Sequence, residues 1–280
     1  MTGGEAVAAD THRGGQARIG FSCSPDGITF VSDQNVGYPF HVTRPFYFER
    51  DPPGMASLYL QSVSGGLYAA EQVTLSITAG ENASAHVTTQ ASTIVHECVE
   101  GHARQTVVLN ARAHSLLEFL PDSTVLFPGA ALDSSIEIVV DDNATVLCCD
   151  SFIAHDPQDV GRCFNELDSR LRVRSTRGDV LAFDRFVIDG PRFRDNAGVK
   201  AHGSLVLVRT GLDTELFTRL HENLLALEGC YGGVSELPFD AGLWIRVLGS
   251  DTSRLRSGLA QLWMSVRQHL FGQTPSPRPK

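Results

Sequence analysis

The chain has 280 residues, of which 42% are hydrophobic, so it holds enough apolar material for one large domain or two small ones and is not a disordered chain. Lys and Arg number 23 against 32 Asp and Glu, and the resulting net charge of -9 disfavours a nucleic-acid-binding protein. One arginine-rich segment still allows a local basic patch, and its members are Arg162, Arg170, Arg172, Arg174 and Arg177.

Both ends of the chain have the composition of tails. Residues 1–16 are Gly- and Ala-rich, predict a disordered tail, and lack the basic start and apolar middle of a signal peptide. Residues 273–280 are Pro-rich and predict a second disordered tail, which leaves 17–272 as a single domain. No stretch reaches the roughly 18 apolar residues of a membrane span. We therefore expect a cytoplasmic protein that does not contact a membrane.

The long middle of the chain has the two-residue period of β-strands. Val73, Leu75 and Ile77 alternate with hydroxyl residues, and the same pattern recurs around Ile136 and Leu171. Each of these runs predicts a strand with one apolar face and one wet face. Nearly continuous apolar runs predict strands that are buried on both faces, and they lie at 145–149, 180–188, 204–208 and 243–248.

An Asn-Ala pair recurs between the predicted strands, at Asn82, Asn110 and Asn143. Asn tolerates left-handed backbone angles, and Ala lets a neighbouring chain segment approach closely. The pairs predict an irregular stack of β-coils in which each coil covers the previous one. Three ordinary hairpin turns would produce the same signal.

Two amphipathic helices are predicted near the C-terminus, at roughly 213–228 and 252–271. Leucines at helical spacing form an apolar face on each, which most often packs on the protein's own core. Asp213 or the next residue can cap the first helix, and Asp251 or the residue before it can cap the second. A glycine, Gly229 in the first case, is expected to end each helix.

The sequence holds no motif of a known catalytic centre. It has no G-x-S-x-G elbow, no phosphate-binding loop, no G-x-G-x-x-G turn and no H-E-x-x-H pair. His96 and His102 stand six residues apart, which matches no known metal-ligand spacing. We therefore expect a protein without catalytic residues and without a tightly bound cofactor.

Four short motifs follow one another in a fixed order between the tails. They are Gly65-Gly66 followed by Glu71, the strand Thr88-Thr89-Gln90, a Glu-aromatic-Leu-Pro segment that ends at Pro121, and Gly161-Arg162 followed by Glu166. In this order and spacing the chain resembles the urease accessory protein D family, called H in some bacteria. The chain departs from the family pattern at Ala70-Glu71, Ile94, His96 and Asn165, and these departures bear on the choice of partner more than on the fold.

The resemblance implies an elongated, mainly β protein, an irregular right-handed β-helix-like stack of strands with two C-terminal α-helices. It also implies a urease maturation factor that is a scaffold rather than an enzyme. Its partners would be accessory protein F, the GTPase accessory protein G and apo-urease. Nickel ions would be cargo in transit, delivered to the urease active site through an internal passage.

Such a passage must bind nickel weakly enough to release it, which favours single acids and hydroxyls over a closed set of four ligands. On this basis the candidate passage residues are Glu71, Thr88, Thr89, Asp150 and Glu166. Each also has a purely structural interpretation. The threonines are good strand formers, and Glu166 could be the ion-pair partner of Arg162.

Two other functions stay open. One is a secreted-type β-helix enzyme that acts on carbohydrate through paired carboxylates such as Glu118 and Asp122. The other is a structural β-solenoid protein with no metal role. Turnover of a polysaccharide would favour the first, and failure to co-purify with urease accessory proteins would favour the second.

Overall fold

The computed structural model describes residues 14–48, 52–195 and 198–276. The first strand begins at Gly14, so the last three residues of the predicted N-terminal tail belong to a sheet instead. Residues 1–13 lie outside the described part of the chain. Pro275, within the predicted C-terminal tail, is buried rather than exposed. Residues 277–280 of that tail lie outside the described part of the chain.

Strands make up most of the regular structure, and two sheets hold them. In chain order the strands are β1 (Gly14–Cys23), β2 (Thr29–Val36), β3 (Phe40–Val42), β4 (Ala56–Ser62), β5 (Gln72–Ala79), β6 (Ser84–Thr89), β7 (Ile94–Val95), β8 (Ala103–Ala111), β9 (Leu116–Phe119), β10 (Thr124–Leu126), β11 (Ala131–Val140), β12 (Thr145–Ala154), β13 (Glu166–Ser175), β14 (Val180–Asp189), β15 (Ala201–Val208), β16 (Cys230–Glu236) and β17 (Gly242–Gly249). The helices are α1 (Gly190–Asp195), α2 (Thr214–Leu225) and α3 (Thr252–Phe271), and a 3-10 turn spans Pro238–Asp240.

The chain crosses repeatedly between the two sheets. Sheet A has the strand order β14-β13-β11-β8-β5-β1-β2, and sheet B has the order β16-β17-β15-β12-β9-β6-β4-β3, with β10 and β7 beside β12. The central strands of each sheet pair in parallel, because the chain lays one strand on each sheet in every turn. About four such turns stack as a β-solenoid, which confirms the predicted mainly β class and the stacked coils.

Antiparallel strands close both ends of this stack. At one end β2 pairs antiparallel with β1, and β3 pairs antiparallel with β4. At the other end β14 pairs antiparallel with β13, and β15 pairs antiparallel with β12. The solenoid therefore has a parallel middle and reversed strands at its two limits.

The main core lies between the sheets, as the two-residue period predicts. Val73, Leu75 and Ile77 of β5 are buried, and the next strand places Val107 opposite Leu75 in the parallel register. Ile136 of β11 stands opposite Val107 in turn, so one row of side chains continues through consecutive turns. A second apolar cluster fills the space between the outer face of sheet B and helices α2 and α3.

The turns that enter sheet B confirm the Asn-Ala prediction at two of its three positions. Asn82 and Asn143 both have φ of 59°, in the left-handed region that Asn tolerates. The third prediction was wrong, because Asn110 lies inside β8. The equivalent turn position is His114, with φ of 58°, so an imidazole stands where the other two turns have an amide.

The two long helices begin at the predicted caps. The side chains of Asp213 and Asp251 accept hydrogen bonds from Leu216 N and Arg254 N. The first helix is shorter than predicted, since it ends at Leu225 and Gly229 lies in the following turn into β16. The short helix α1 was not predicted. Within the described residues, no helix combines the length and the apolar character that crossing a bilayer requires.

Candidate functional site

A cavity of about 60 Å³ lies inside the solenoid, between the two sheets. We call it the interior cavity, and its polar lining includes Thr89, Gln105, Asp122, Asp150 and Ser151. A site needs roughly 10–15 Å³ to hold one water molecule, so this cavity has room for a few. Two carboxylates, an amide and several hydroxyls thus line a space that an all-apolar core would have filled.

Asp150 is a carboxylate of sheet B that lines the interior cavity. Neighbouring residues of a strand face opposite sides, so Cys149 faces the helices while Asp150 faces the interior. Burial raises the pKa of Asp150, and a 3.1 Å hydrogen bond from Ser169 of sheet A and the charge of Arg246 counteract part of that rise. A cation that reached Asp150 would replace hydration that the carboxylate lacks.

A second hollow opens beside the interior cavity and shares Thr89 with it. This hollow, of about 230 Å³, is lined by Gly65, Gly66 and Gln90, and we call it the Gly65 hollow. Gly66 has φ of 138°, and a Cβ there would meet the carbonyl oxygen of Ile94 at 2.4 Å, so the turn requires glycine. Two of the family-like motifs, Gly65-Gly66 and Thr88-Thr89-Gln90, therefore contribute residues to the wall of the same hollow.

A third, larger hollow of about 550 Å³ lies under helix α3. This α3 groove is mostly apolar, and Trp263 and Met264 are among its lining residues. It shares Pro121, Asp122 and Ser151 with the interior cavity. The Gly65 hollow, the interior cavity and the α3 groove therefore form a row, in which each neighbour shares wall residues with the next.

The row contains some of the predicted passage residues and not others. Thr89 and Asp150 line the interior cavity. Thr88 faces the other side of β6, where its hydroxyl donates to the carbonyl of Leu120 at 2.7 Å. Glu71 accepts a 3.0 Å hydrogen bond from the N–H of Tyr68 and so holds its own turn closed. The interpretation of Thr88 as a structural residue thus fits its position better than the passage interpretation.

Glu166 begins β13 on sheet A, away from the row. The structure does not pair Glu166 with Arg162, the structural alternative, because Arg162 Nη2 lies 3.5 Å from Asp156 Oδ1 in the loop that contains Gly161. The group beside Glu166 is His102, with 3.9 Å between His102 Nε2 and Glu166 Oε1. Spacing along the chain does not indicate this contact, because His102 and Glu166 belong to separate turns of the solenoid.

Asp122 and Gln105 are lining residues that the sequence analysis did not assign to a passage. Asp122 follows the Pro121 motif directly, which was a usable signal. Gln105 gave a weaker one, since it is a polar residue at an inward position of a β-strand with buried neighbours such as Val107.

The paired carboxylates of the carbohydrate-enzyme alternative do not work together here. Glu118 is 1% exposed under α3, where its oxygens contact His86 Nδ1 at 2.7 Å and Trp263 Nε1 at 3.1 Å. Arg267, also 1% exposed, places Nη1 at 3.6 Å from the same carboxylate. Asp122 lines the interior cavity instead. A polysaccharide could not reach Glu118, so Glu118 cannot be one of the two catalytic carboxylates that a carbohydrate-active enzyme needs.

The arginine-rich segment does not form a free basic patch. Arg170 and Arg185 both contact Asp168, and the hydrogen bond from Arg185, together with the other arginine contact, lowers the pKa of Asp168 to about 2. Arg174 pairs with Glu137 at 2.6 Å. These ion pairs neutralise the outer face of sheet A, which fits poorly with binding to a phosphate backbone.

No group of three or more His, Cys, Asp or Glu side chains in the described part of the chain is arranged to enclose a metal ion. The interior cavity offers oxygen ligands that are spread over several strands instead. Carboxylate and hydroxyl oxygens in such an open arrangement can accompany a cation without enclosing it.

Comparison with known proteins agrees with the fold and the motifs. The family model described as UreD urease accessory protein matches residues 13–280. Urease accessory protein UreD 1 of Pseudomonas syringae pv. syringae is 43% identical over 281 aligned positions, covering 98% of both chains. UreD 1 of Methylorubrum populi is 39% identical and covers 99% of this chain and 95% of the relative. UreD 2 of Bradyrhizobium sp. ORS 278 is 31% identical and covers 94% and 93%. The chain therefore belongs to the UreD family of urease accessory proteins.

Proposed function

We propose that the chain is a non-catalytic urease maturation factor, a scaffold through which nickel passes to apo-urease. It works in a complex with accessory protein F and the GTPase accessory protein G, in the cytoplasm. Family membership supports the accessory role. The row of hollows supports the passage, which would run from the Gly65 hollow through the interior cavity to the α3 groove.

The observation that carries the passage is the position of Asp150. A carboxylate between two sheets is costly to bury, and an apolar residue would stabilise this position better. Its lining neighbours Thr89 and Asp122 add oxygen ligands on other strands. A cation would thus meet single oxygens in succession and could leave each of them.

The wall between the interior cavity and the α3 groove is the step at which the ion would leave the solenoid. Asp122 lines both spaces, and its backbone N–H donates to Thr89 Oγ1 at 2.8 Å. Ser151 also lines both, and its hydroxyl is 2.8 Å from that of Ser123. An acid and two hydroxyls therefore stand where the polar interior meets the mostly apolar groove.

The direct test replaces Asp150 with Asn, which keeps the size and removes the charge. With Asp150→Asn we expect normal melting and a normal complex with accessory proteins F and G, but a severalfold lower nickel content of the matured urease. Asp142→Asn is the matched control, because Asp142 is an exposed acid that pairs with Arg177 at the surface. Nickel is measured by elemental analysis of purified urease, and the complex by co-purification.

If urease matured with Asp150→Asn has a normal nickel content and the accessory complex is intact, the passage hypothesis is wrong and only the scaffold role remains. Failure of the wild-type chain to co-purify with either accessory protein or with apo-urease would remove the scaffold as well. It would favour a structural β-solenoid with no metal role.

A further inference from the structure

A histidine and two acids from different turns of the solenoid meet on the outer face of sheet A. His102 directly precedes β8, Asp133 lies in β11, and Glu166 begins β13. His102 Nδ1 and Asp133 Oδ1 are 2.7 Å apart. An ionised carboxylate only accepts hydrogen bonds, so Nδ1 carries the hydrogen and the lone pair of the neutral ring is on Nε2.

That lone pair faces a second acceptor, since Nε2 is 3.9 Å from Glu166 Oε1. Two acceptors in this position repel each other unless a proton or a metal ion joins them. Nitrogen and oxygen ligands lie roughly 2.0–2.2 Å from a first-row divalent ion, so two ligands of one ion are at most about 4.4 Å apart. The observed separation is within that limit.

The pair of His102 and Glu166 is open to solvent rather than buried. His102 and Glu166 are 34% and 44% exposed, so a hydrated ion can reach both. The other oxygen of Asp133, Oδ2, lies 3.5 Å from Arg104 Nε. Both oxygens of Asp133 therefore have partners, and its role is to orient the imidazole. A carboxylate on the second ring nitrogen is the usual support of a metal-binding histidine.

We propose that His102 Nε2 and Glu166 Oε1 form an open, two-ligand site for a first-row divalent cation, with water at the remaining positions. Asp133 positions the ring and does not bind the ion. The proposal rests on the proposed function only for the identity of the ion, which is nickel. Because the site is on the outer face of sheet A, it is separate from the interior cavity and would load the ion from solution.

The test titrates the purified full chain with nickel sulfate alone and counts bound nickel by equilibrium dialysis. His102→Gln and Glu166→Gln should each lose one weakly bound nickel, and Asp133→Asn should weaken that site by about tenfold. His41→Gln is the matched control, because His41 Nδ1 is 2.7 Å from the neutral amide oxygen of Gln61 rather than from a carboxylate. The control should bind nickel like the wild type.

The NMR signals of the imidazoles give a second readout. Substoichiometric nickel should broaden His102 before the other histidines. Equal nickel binding in His102→Gln, Glu166→Gln and wild type, or equal broadening of His41 and His102, would overturn the proposal and leave a proton between the two groups. Dialysis uses the isolated chain, so this result is independent of the urease nickel measured for Asp150→Asn.

Discussion

The indole N–H of Trp263 donates a 3.1 Å hydrogen bond to Glu118 Oε1, although the two residues are 145 positions apart in the chain. The same carboxylate joins His86 of β6 and Arg267 of α3. Arg267 Nη1 also lies 3.4 Å from the sulfur of Met55. One buried acid therefore fixes α3 on the outer face of sheet B. Since Trp263 lines the α3 groove, the same contacts set the shape of that groove.

Neutralising Glu118 should loosen this helix. Burial alone would raise the pKa of Glu118, but the hydrogen bond and charge of His86 and the charge of Arg267 outweigh it, so the pKa lies below its usual value. We expect Glu118→Gln to lower the free energy of unfolding by roughly 3 kcal/mol at neutral pH, because the change removes the negative charge of Glu118 from a buried ion pair with Arg267. Trp263→Phe should cost about 1–2 kcal/mol. Urea denaturation measures both.

Glu81→Gln, an exposed acid in a turn, serves as the control for Glu118. Because the folded-state pKa of Glu118 is depressed, its contribution is present above the unfolded-state pKa and is lost as the pH falls. The difference between wild type and Glu118→Gln should therefore shrink in acid. An equal loss in Glu81→Gln and Glu118→Gln would show that the carboxylate does not hold the helix.

His202 should make the fold sensitive to mild acid. Burial, and then the charge of Arg246, lowers the pKa of His202 from 6.5 to about 4. The ring stacks on Phe152 at 5.2 Å and is neutral in the native state. The unfolded chain takes up the proton first, so stability is complete above about pH 6.5 and falls by at most roughly 3 kcal/mol as the pH falls to 4. His202→Phe should flatten the stability profile between these two values.

A second variant separates the two causes that lower the pKa of His202, which are burial and the charge of Arg246. In Arg246→Gln the pKa of His202 should rise only in part, because burial is the larger cause and stays. An NMR titration of the imidazole reports the value directly. A pKa of His202 near 6.5 in the wild type, or an unchanged acid slope in His202→Phe, would refute this account.

The residues with left-handed backbone angles at Asn82, His114 and Asn143 should affect the free energy of unfolding to different extents, according to residue type. A non-glycine residue in this conformation costs roughly 1–2 kcal/mol, and Asn costs less. We expect Asn82→Ala and Asn143→Ala to lower the free energy of unfolding by about 1 kcal/mol, and His114→Asn to raise it by up to a similar amount. Chemical denaturation decides this, with Glu81→Ala as the control. A destabilised His114→Asn would mean that the imidazole has a separate role.

Much of the fold follows from the two-residue period, because inward and outward positions alternate along a regular strand. Val73 and Ile136 are buried, as this period predicts. Helix caps were also readable, since Asp213 and its partner N–H are three residues apart.

Contacts between turns of the solenoid could not be read in the same way. Whether His102 meets Glu166 depends on the register of β8, β11 and β13, and that register depends on the lengths of the loops between them. One residue more or less in a loop would exchange the faces of a whole strand. For the same reason the structural interpretation of Glu166 named Arg162, its neighbour in sequence, whereas its neighbour in space is His102, two turns earlier in the solenoid.

The reversed strands at the two limits of the solenoid have a consequence for how copies of this chain meet. A parallel stack that simply stopped would present unpaired backbone groups on which the first turn of another copy could continue, giving filaments. Here the edge strand β2 runs against the direction of β1 and carries Asp33, which pairs with Arg18 at 2.9 Å. Continued parallel growth has no matching template at such an edge. The parallel part of sheet A thus ends within one chain, at the reversed strands β2 and β14.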